Sequence, residues 1–354
     1  MIEEEIRADD PRFDEQSAAS AAKKTSQTWK KILEVCVALA GTVILLSIVL
    51  KNVDWLSFMD ALKDIQFDYV LFALTGFLAS MIFMSIKFYM AYPDGGFWFV
   101  FRSLMLSNFF YILPAGAVLG TGSIIALLHQ EGNIYRISSV VIFDNVTKFF
   151  SLVFCFWLGT LISSVSIPIG IHVLAWCLMA VMTLLIAGLL FQKTRRALLR
   201  LSEKCAHYRW GKQLRSLLQD FAHVTDDMKK HPLRLALHML FGVLAEALLV
   251  LPYIVLSQPL GIAIAANNWL WINGIIRIVA SVPFAIGGLG AREGALTLLL
   301  GWLGVSSGVT LTLSLLYSVL NIISSLSSAL FLIGRKPGKL LDFVRPGNAP
   351  NPSK

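Results

Sequence analysis

The chain has 354 residues, of which 56% are apolar and only 15% are charged, and its mean hydropathy is +0.70. Soluble domains have about 45–50% apolar and about 25% charged residues. This composition excludes a soluble enzyme, a disordered chain and a disulfide scaffold. The apolar residues lie in blocks of about 20, which predicts an all-α polytopic membrane protein and not a β-barrel of short alternating strands.

The basic residues are clustered. The chain has 30 Lys and Arg against 22 Asp and Glu, a net charge of +8. Lys193–Arg234 contains 11 basic and 4 acidic residues, and Arg335–Lys354 contains 5 and 1. By the positive-inside rule both segments are cytoplasmic. Neither resembles a nucleic-acid-binding module, so nucleic acid is not an expected partner.

The N-terminal residues 1–31 are polar and rich in acids, which predicts a disordered cytoplasmic tail and not a signal peptide. The four cysteines are dispersed and are expected to be reduced, without a zinc site. No metal or nucleotide motif is present, so we expect no cofactor.

Six apolar blocks are long enough to cross a hydrocarbon core of about 30 Å. They are Ile32–Leu50, Tyr69–Met90, Ser138–Leu161, Pro168–Phe191, Leu235–Leu256 and Val309–Gly334. Lys51–Asp68 has one apolar helical face and predicts a short helix on the outer surface. The basic loop has a similar apolar stripe. It predicts a helix that lies either on the inner membrane surface or on the protein.

Two further apolar blocks, Phe97–Gly132 and Trp269–Val305, are interrupted near their middle by Pro and Gly. Topology requires that the first block begin and end inside and that the second begin and end outside. From Arg102 to the break at Pro114 the chain spans 12 residues, about 18 Å, which is too short to cross. We therefore predict two re-entrant helical hairpins, with eight full spans as the alternative.

These blocks form two units with opposite orientation. Each has a span, a broken block and a second span, over residues 69–161 and 235–334. Inverted repeats with broken helices are typical of transporters. The predicted organisation is a membrane domain over residues 32–334, a cytoplasmic loop at 192–234 and cytoplasmic tails at 1–31 and 335–354.

The second interruption carries the strongest local motif, Gly287–Glu293 (GGLGARE). Glycine permits close backbone approach, and a helix that begins near Gly290 offers free N–H groups to an anion. Arg292 would add a bidentate phosphate contact. The alternative is that these glycines only allow close helix packing.

Ionisable residues are rare in the apolar blocks, and such residues in a membrane need partners. In the second unit they are Glu246, Arg277, Arg292 and Glu293. Glu246 is expected to pair with Arg277 or Arg292, either for function or for structure alone. Asp144 and Lys148 have i, i+4 spacing, which indicates either an internal salt bridge or part of a proton or head-group site.

The motif Gly287–Glu293 resembles the flippase-like membrane domain of the lysylphosphatidylglycerol synthase family, with Pro283 displaced by three inserted residues. In the first half, Leu113–Gly116 and Gly120 follow that family's pattern. Its acidic and Arg positions are replaced there by small or apolar residues. The segment that ends at Asp144 also resembles the span that comes next in that family. The resemblance covers residues 32–334. No aminoacyl-transfer domain follows, so synthase activity is not implied.

The resemblance implies a lipid substrate, and the topology implies transport. We predict a non-enzymatic lipid translocator, flippase-like, in the cytoplasmic (inner) membrane, with both termini inside. Its substrate would be an anionic or polyprenyl-linked lipid. The candidate substrate-binding residues are Pro114, Gly116, Gly120, Gly122, Arg277, Pro283, Gly287, Gly288, Gly290, Arg292 and Glu293. The candidates for ion coupling or ion pairing are Asp144, Lys148 and Glu246.

Two other functions fit the sequence less well. One is ion-coupled transport of a small soluble anion by the same hairpins. The other is an accessory subunit of a transferase that acts on lipid-linked glycosyl or aminoacyl groups. The expected partners are the membrane lipid, the bilayer, and either a synthase or a second copy of the chain.

Overall fold

A computed structural model describes residues 66–111, 116–129, 133–191, 209–281, 291–328 and 330. Over these residues the protein is all-helical. In chain order the helices are α1 (Phe67–Ala91), α2 (Phe97–Tyr111), α3 (Gly116–Leu128), α4 (Ile134–Leu161), α5 (Ile169–Leu190), α6 (Arg209–Lys230), α7 (Pro232–Leu248), α8 (Leu251–Ser257), α9 (Asn268–Ala280), α10 (Ala291–Trp302) and α11 (Ser307–Ser327).

Five helical segments are long and apolar enough to cross a membrane. They are Phe67–Ala91, Ile134–Leu161, Ile169–Leu189, Pro232–Ser257 and Ser307–Ser327. They coincide with five of the six predicted spans, so the chain is a multi-pass helical membrane protein. The first predicted span, most of the outer surface helix and both tails lie outside the described residues.

Each broken block forms two short helices that pack against each other. α2 and α3 have 15 and 13 residues, and α9 and α10 have 13 and 12. None exceeds about 23 Å, so none crosses the core alone. The intervening residues 112–115 and 282–290 lie outside the described residues.

The predicted span Leu235–Leu256 is broken, because it forms α7 and α8 with a turn between them. Pro252 has no N–H to donate to the carbonyl of Leu248, and its ring disfavours a continuous helix. α1 packs along both pieces. At Gly76 a Cβ atom would lie 3.0 Å from Cδ of Pro252 and 3.1 Å from the Leu248 oxygen. Glycine thus lets α1 approach the break.

α4 and α9 cross at two glycines. A Cβ at Gly159 would lie 2.5 Å from the backbone nitrogen of Trp271, and one at Gly274 would lie 2.5 Å from Cβ of Phe156. At the end of this crossing Asn268 accepts hydrogen bonds from the Ser163 hydroxyl (2.9 Å) and from a neighbouring backbone N–H (3.1 Å). The first helix of the second broken block is therefore attached to the last span of the first unit.

A reciprocal contact joins the other broken block to the last span. α2 packs against α11, where the side-chain amide of Asn108 donates a hydrogen bond to the Ser325 hydroxyl (3.1 Å). Each broken block thus contacts the closing span of the opposite unit.

The amphipathic helix α6 lies on the protein. Its apolar residues Phe221, Val224 and Met228 are buried, and α4, α5 and α7 all contact it. The Ser139 hydroxyl of α4 donates a hydrogen bond to the backbone oxygen of Leu217 (3.0 Å). Of the two positions considered for this helix, the structure shows packing on the protein.

Candidate functional site

Among the described residues, seven charged side chains of the predicted spans and broken blocks are buried or partly buried. They are Lys87 in α1, Asp144 and Lys148 in α4, Glu246 in α7, Arg277 in α9, and Arg292 and Glu293 in α10. We call them the interior charges. They comprise four cations and three carboxylates, so the set has one excess positive charge when every group is ionised.

Lys148 and Glu246 lie at a similar depth. Each is 14 residues beyond the first residue of its helix, or about 21 Å along the axis. α4 and α7 begin on the same side, because α6 leads directly into α7 and also bonds to α4 near its start. These two charges are therefore deep in the bundle and not at its surface.

Glu246 and Arg277 form an ion pair. Oε2 of Glu246 lies 2.7 Å from Nη1 of Arg277, and the side chains are 1% and 24% exposed. The angles do not make this contact a hydrogen bond, so neither carboxylate oxygen has a hydrogen-bond donor among the described residues. Of the two partners considered for Glu246, the structure thus selects Arg277.

Lys87 pairs with Asp144. The ammonium lies 3.0 Å from Oδ1 of Asp144 and donates a hydrogen bond to the backbone oxygen of the same residue (2.8 Å). The Lys87 side chain has no exposed surface. The Asp144–Lys148 salt bridge expected from their spacing is not found among the described residues. Asp144 turns instead to a neighbouring helix.

His238 fixes the backbone around this pair. Its Nδ1 donates a hydrogen bond to the Lys87 carbonyl oxygen (2.8 Å), and its Nε2 is hydrogen-bonded to the Thr147 hydroxyl (2.8 Å). The histidine side chain is fully buried. Because both ring nitrogens are engaged, the ring links α1, α4 and α7.

Lys148 is the interior charge without a direct partner. Its side chain is partly buried, and within the described part of the chain its ammonium forms no ion pair or hydrogen bond. It lies in electrostatic range of Glu246, Arg277 and Asp144. The Glu246 carboxylate is thus paired with Arg277 and interacts electrostatically with Lys148 as well.

Arg292 is closely held within its own unit. Its Nη2 lies 2.7 Å from Oε1 of Glu293 and is also bonded to the Ser318 hydroxyl. Its guanidinium carbon lies 5.2 Å from the ring centroid of Tyr317, a cation–π distance. The Ser314 hydroxyl donates to the same Glu293 oxygen (3.2 Å). Several N–H donors of the Arg292 guanidinium are thus already bonded within the protein.

An aromatic stack connects the two arginines. Tyr317 stacks on Tyr253 with centroids 4.1 Å apart, and Tyr253 stacks on Trp269 at 5.5 Å. Both Arg277 and Arg292 interact electrostatically with Tyr317. Tyr317 thus contacts Arg292 and lies within electrostatic range of Arg277.

The predicted glycines have different surroundings. A Cβ at Gly120 would collide with the Tyr111 ring, so this residue has a packing role. Gly122 is exposed and nothing lies near its Cβ position. Gly116 begins α3. Five other candidates lie outside the described residues, namely Pro114, Pro283, Gly287, Gly288 and Gly290.

The chain matches a known protein family. Residues 32–327 match the family described as the lysylphosphatidylglycerol synthase TM region. The chain belongs to this family. No curated protein matches the sequence, and no solved structure matches it.

Family membership gives the interior charges a context. The family is a membrane domain associated with lipid-related function, and the match includes all seven of these residues. Within the described residues there is no group of three His, Cys, Asp or Glu side chains suited to a metal.

Sequence reasoning missed four contributors to the site, namely Lys87, His238, Tyr317 and Ser318. Lys87 had a detectable signal, because a lysine inside an apolar span needs a partner or an exit to water. The others look like ordinary span residues, and only the packing of distant helices reveals their contacts.

Proposed function

We propose that the protein moves a lipid with an anionic or polyprenyl-linked head group between the leaflets of the cytoplasmic membrane. The observation that supports this best is the burial of the interior charges within an apolar helical bundle. Charged side chains cost free energy in a bilayer, so they are retained where a polar group must pass or bind. Family membership supports a lipid as that group.

The proposal includes two re-entrant hairpins, α2–α3 and α9–α10, related as an inverted repeat. Their short helices and their reciprocal contacts with α11 and α4 support this arrangement. Such repeats allow alternating access, in which one part rocks against the other around a fixed site. The cytoplasmic orientation of both termini is part of the proposal.

The protein would act as a translocator and not as an enzyme. Energy would come from an ion gradient or from the lipid concentrations themselves. Glu246, Asp144 or Glu293 would carry a coupling proton. A synthase that supplies the lipid, or a second copy of the chain, is the proposed partner.

A fluorescent-lipid assay tests the proposal. Purified protein is reconstituted into phosphatidylcholine vesicles that contain tail-labelled phosphatidylglycerol. Dithionite then bleaches the label in the outer leaflet. Active protein is expected to expose inner-leaflet phosphatidylglycerol to bleaching, while labelled phosphatidylcholine stays protected. Bleaching equal to that of protein-free vesicles would reject translocation of this lipid class.

Transport of a soluble anion is the second candidate, because one excess cation among the interior charges would serve a free anion equally well. The same vesicles discriminate between them. Uptake of radiolabelled inorganic phosphate without movement of labelled lipid would favour the soluble anion.

A further inference from the structure

The excess positive charge lies in one part of the interior set. Lys87 with Asp144 and Arg292 with Glu293 form two neutral pairs. The remaining group is Glu246, its ion-pair partner Arg277, and Lys148, which interacts electrostatically with both. An uncompensated cation inside a bundle costs several kcal/mol unless an anion neutralises it.

The two cations are more accessible than their carboxylate. Glu246 is 1% exposed, while Arg277 is 24% exposed and Lys148 is partly buried. Both cationic residues thus keep some exposed surface, whereas the Glu246 side chain has almost none.

The helices that carry the two cations are locked together. Arg277 is on α9, three residues beyond Gly274, and Lys148 is on α4, the helix that Gly274 and Gly159 bring into close contact with α9. Rigid neighbours pre-organise binding groups and reduce the entropy lost on binding.

The chemistry of these side chains suits a phosphate ester. A guanidinium offers two parallel donors to phosphate oxygens, and an ammonium adds a compact point charge. Arg292 is less suited, because Glu293, Ser318 and the Tyr317 ring already surround it. It instead connects α10 to α11 through Ser318 and Tyr317.

We propose that Lys148 and Arg277 bind the phosphate group of the substrate and that this phosphate replaces Glu246 as the counter-ion of Arg277. The proposal deepens the proposed function and rests on it for the lipid nature of the ligand. The shared chemistry is a phosphate anion, either in a lipid head group or free in solution.

Binding is measured with the full-length protein in phosphatidylcholine nanodiscs. Native mass spectrometry counts retained phosphatidylglycerol, and calorimetry measures inorganic phosphate. Lys148→Gln is expected to weaken binding at least about tenfold, since one charge-assisted hydrogen bond is worth about 1.5–3 kcal/mol. Lys148→Arg should recover most of the affinity. Lys229→Gln, which changes an exposed lysine of α6, should bind like the wild type.

Glu246→Gln gives the opposite prediction. Removing the competing carboxylate leaves Arg277 without a counter-ion, so phosphate binding should become about tenfold tighter. Misfolding does not produce tighter binding, so this variant keeps the test decisive even where Lys148→Gln is unstable. Equal affinity in the wild type, Lys148→Gln and Glu246→Gln would overturn the proposal.

The two probes identify the source of the phosphate. Retention of phosphatidylglycerol alone, dependent on Lys148, assigns the site to a lipid. Binding of inorganic phosphate with the same dependence assigns it to a free anion. If the wild type binds through Lys148 but moves no lipid, the proposed function falls and this inference stands. If the wild type moves lipid and Lys148→Gln binds phosphate as the wild type does, the proposed function stands and this inference falls.

Discussion

The ammonium of Lys87 lies 3.0 Å from the carboxylate of Asp144, and the lysine side chain is completely buried between α1 and α4. The two residues are 57 positions apart in the chain. The pair thus joins two spans, with the lysine side chain fully buried and the aspartate side chain 15% exposed.

Removal of one member of this pair should destabilise the protein strongly. Lys87→Met leaves the Asp144 carboxylate buried without its cation, which typically costs about 3–5 kcal/mol. The double variant Lys87→Met/Asp144→Asn should recover much of that loss, because no uncompensated charge remains. Thermal unfolding in detergent measures both, with Lys229→Met as the exposed control. A double variant as unstable as the sum of its singles would contradict the pairing.

The crossing of α4 and α9 should not tolerate a methyl group. Gly159→Ala places Cβ 2.5 Å from a backbone nitrogen of α9, so the helices must separate. Overpacking typically costs about 1–3 kcal/mol. The matched control is Gly294→Ala in α10, where nothing lies within 4 Å of the added atom. The unfolding temperature should be lower than that of the wild type for Gly159→Ala, and equal or higher for Gly294→Ala. Equal effects would argue against close packing at this crossing.

Re-entrant hairpins predict which positions an impermeant thiol reagent reaches. In a cysteine-free background, Trp98→Cys and His129→Cys flank the first hairpin and should both be labelled from the inside. Ala265→Cys and Ser306→Cys flank the second and should both be labelled from the outside. All four positions are exposed. Labelling from opposite sides within one hairpin would show that its helices cross.

The network around Arg292 predicts that charge alone does not replace the guanidinium. Arg292→Lys keeps the positive charge but cannot contact Glu293, Ser318 and the Tyr317 ring together. We expect a loss of about 1–3 kcal/mol of stability, measured by thermal unfolding. Ser318→Ala should cost less, because Arg292 keeps Glu293. Wild-type stability in Arg292→Lys would show that the contacts contribute little.

The sequence predicted the spans and the broken blocks well, because hydrophobic length and Pro/Gly interruptions are local properties. The membrane nature and the family also followed from local motifs. Pairing of charges followed only in part. Arg277 was one of two partners expected for Glu246, and the structure shows that pair. For Asp144 one alternative was a salt bridge with Lys148, one helical turn away, whereas the structure supplies Lys87 from another helix. Spacing along one helix contains no information about which neighbour packs against it.

The break at Pro252 was missed for a related reason. An apolar run of sufficient length predicts a continuous span, and proline inside a membrane helix is often tolerated. Here the neighbouring Gly76 allows α1 to pack against the break. The helical segment is thus interrupted at a position where Gly76, which is distant in the sequence, allows α1 to pack closely.

The glycine contacts between α4 and α9 also restrict which helices can move independently of each other. Helix α9 follows α8 in the chain, yet Gly159, Gly274 and the Asn268 hydrogen bonds join it to α4. Any rearrangement that preserves these contacts must carry α9 together with α4. In the proposed alternating-access motion, the boundary between moving parts would therefore run through the second broken block and not between the two units as the order of the sequence divides them.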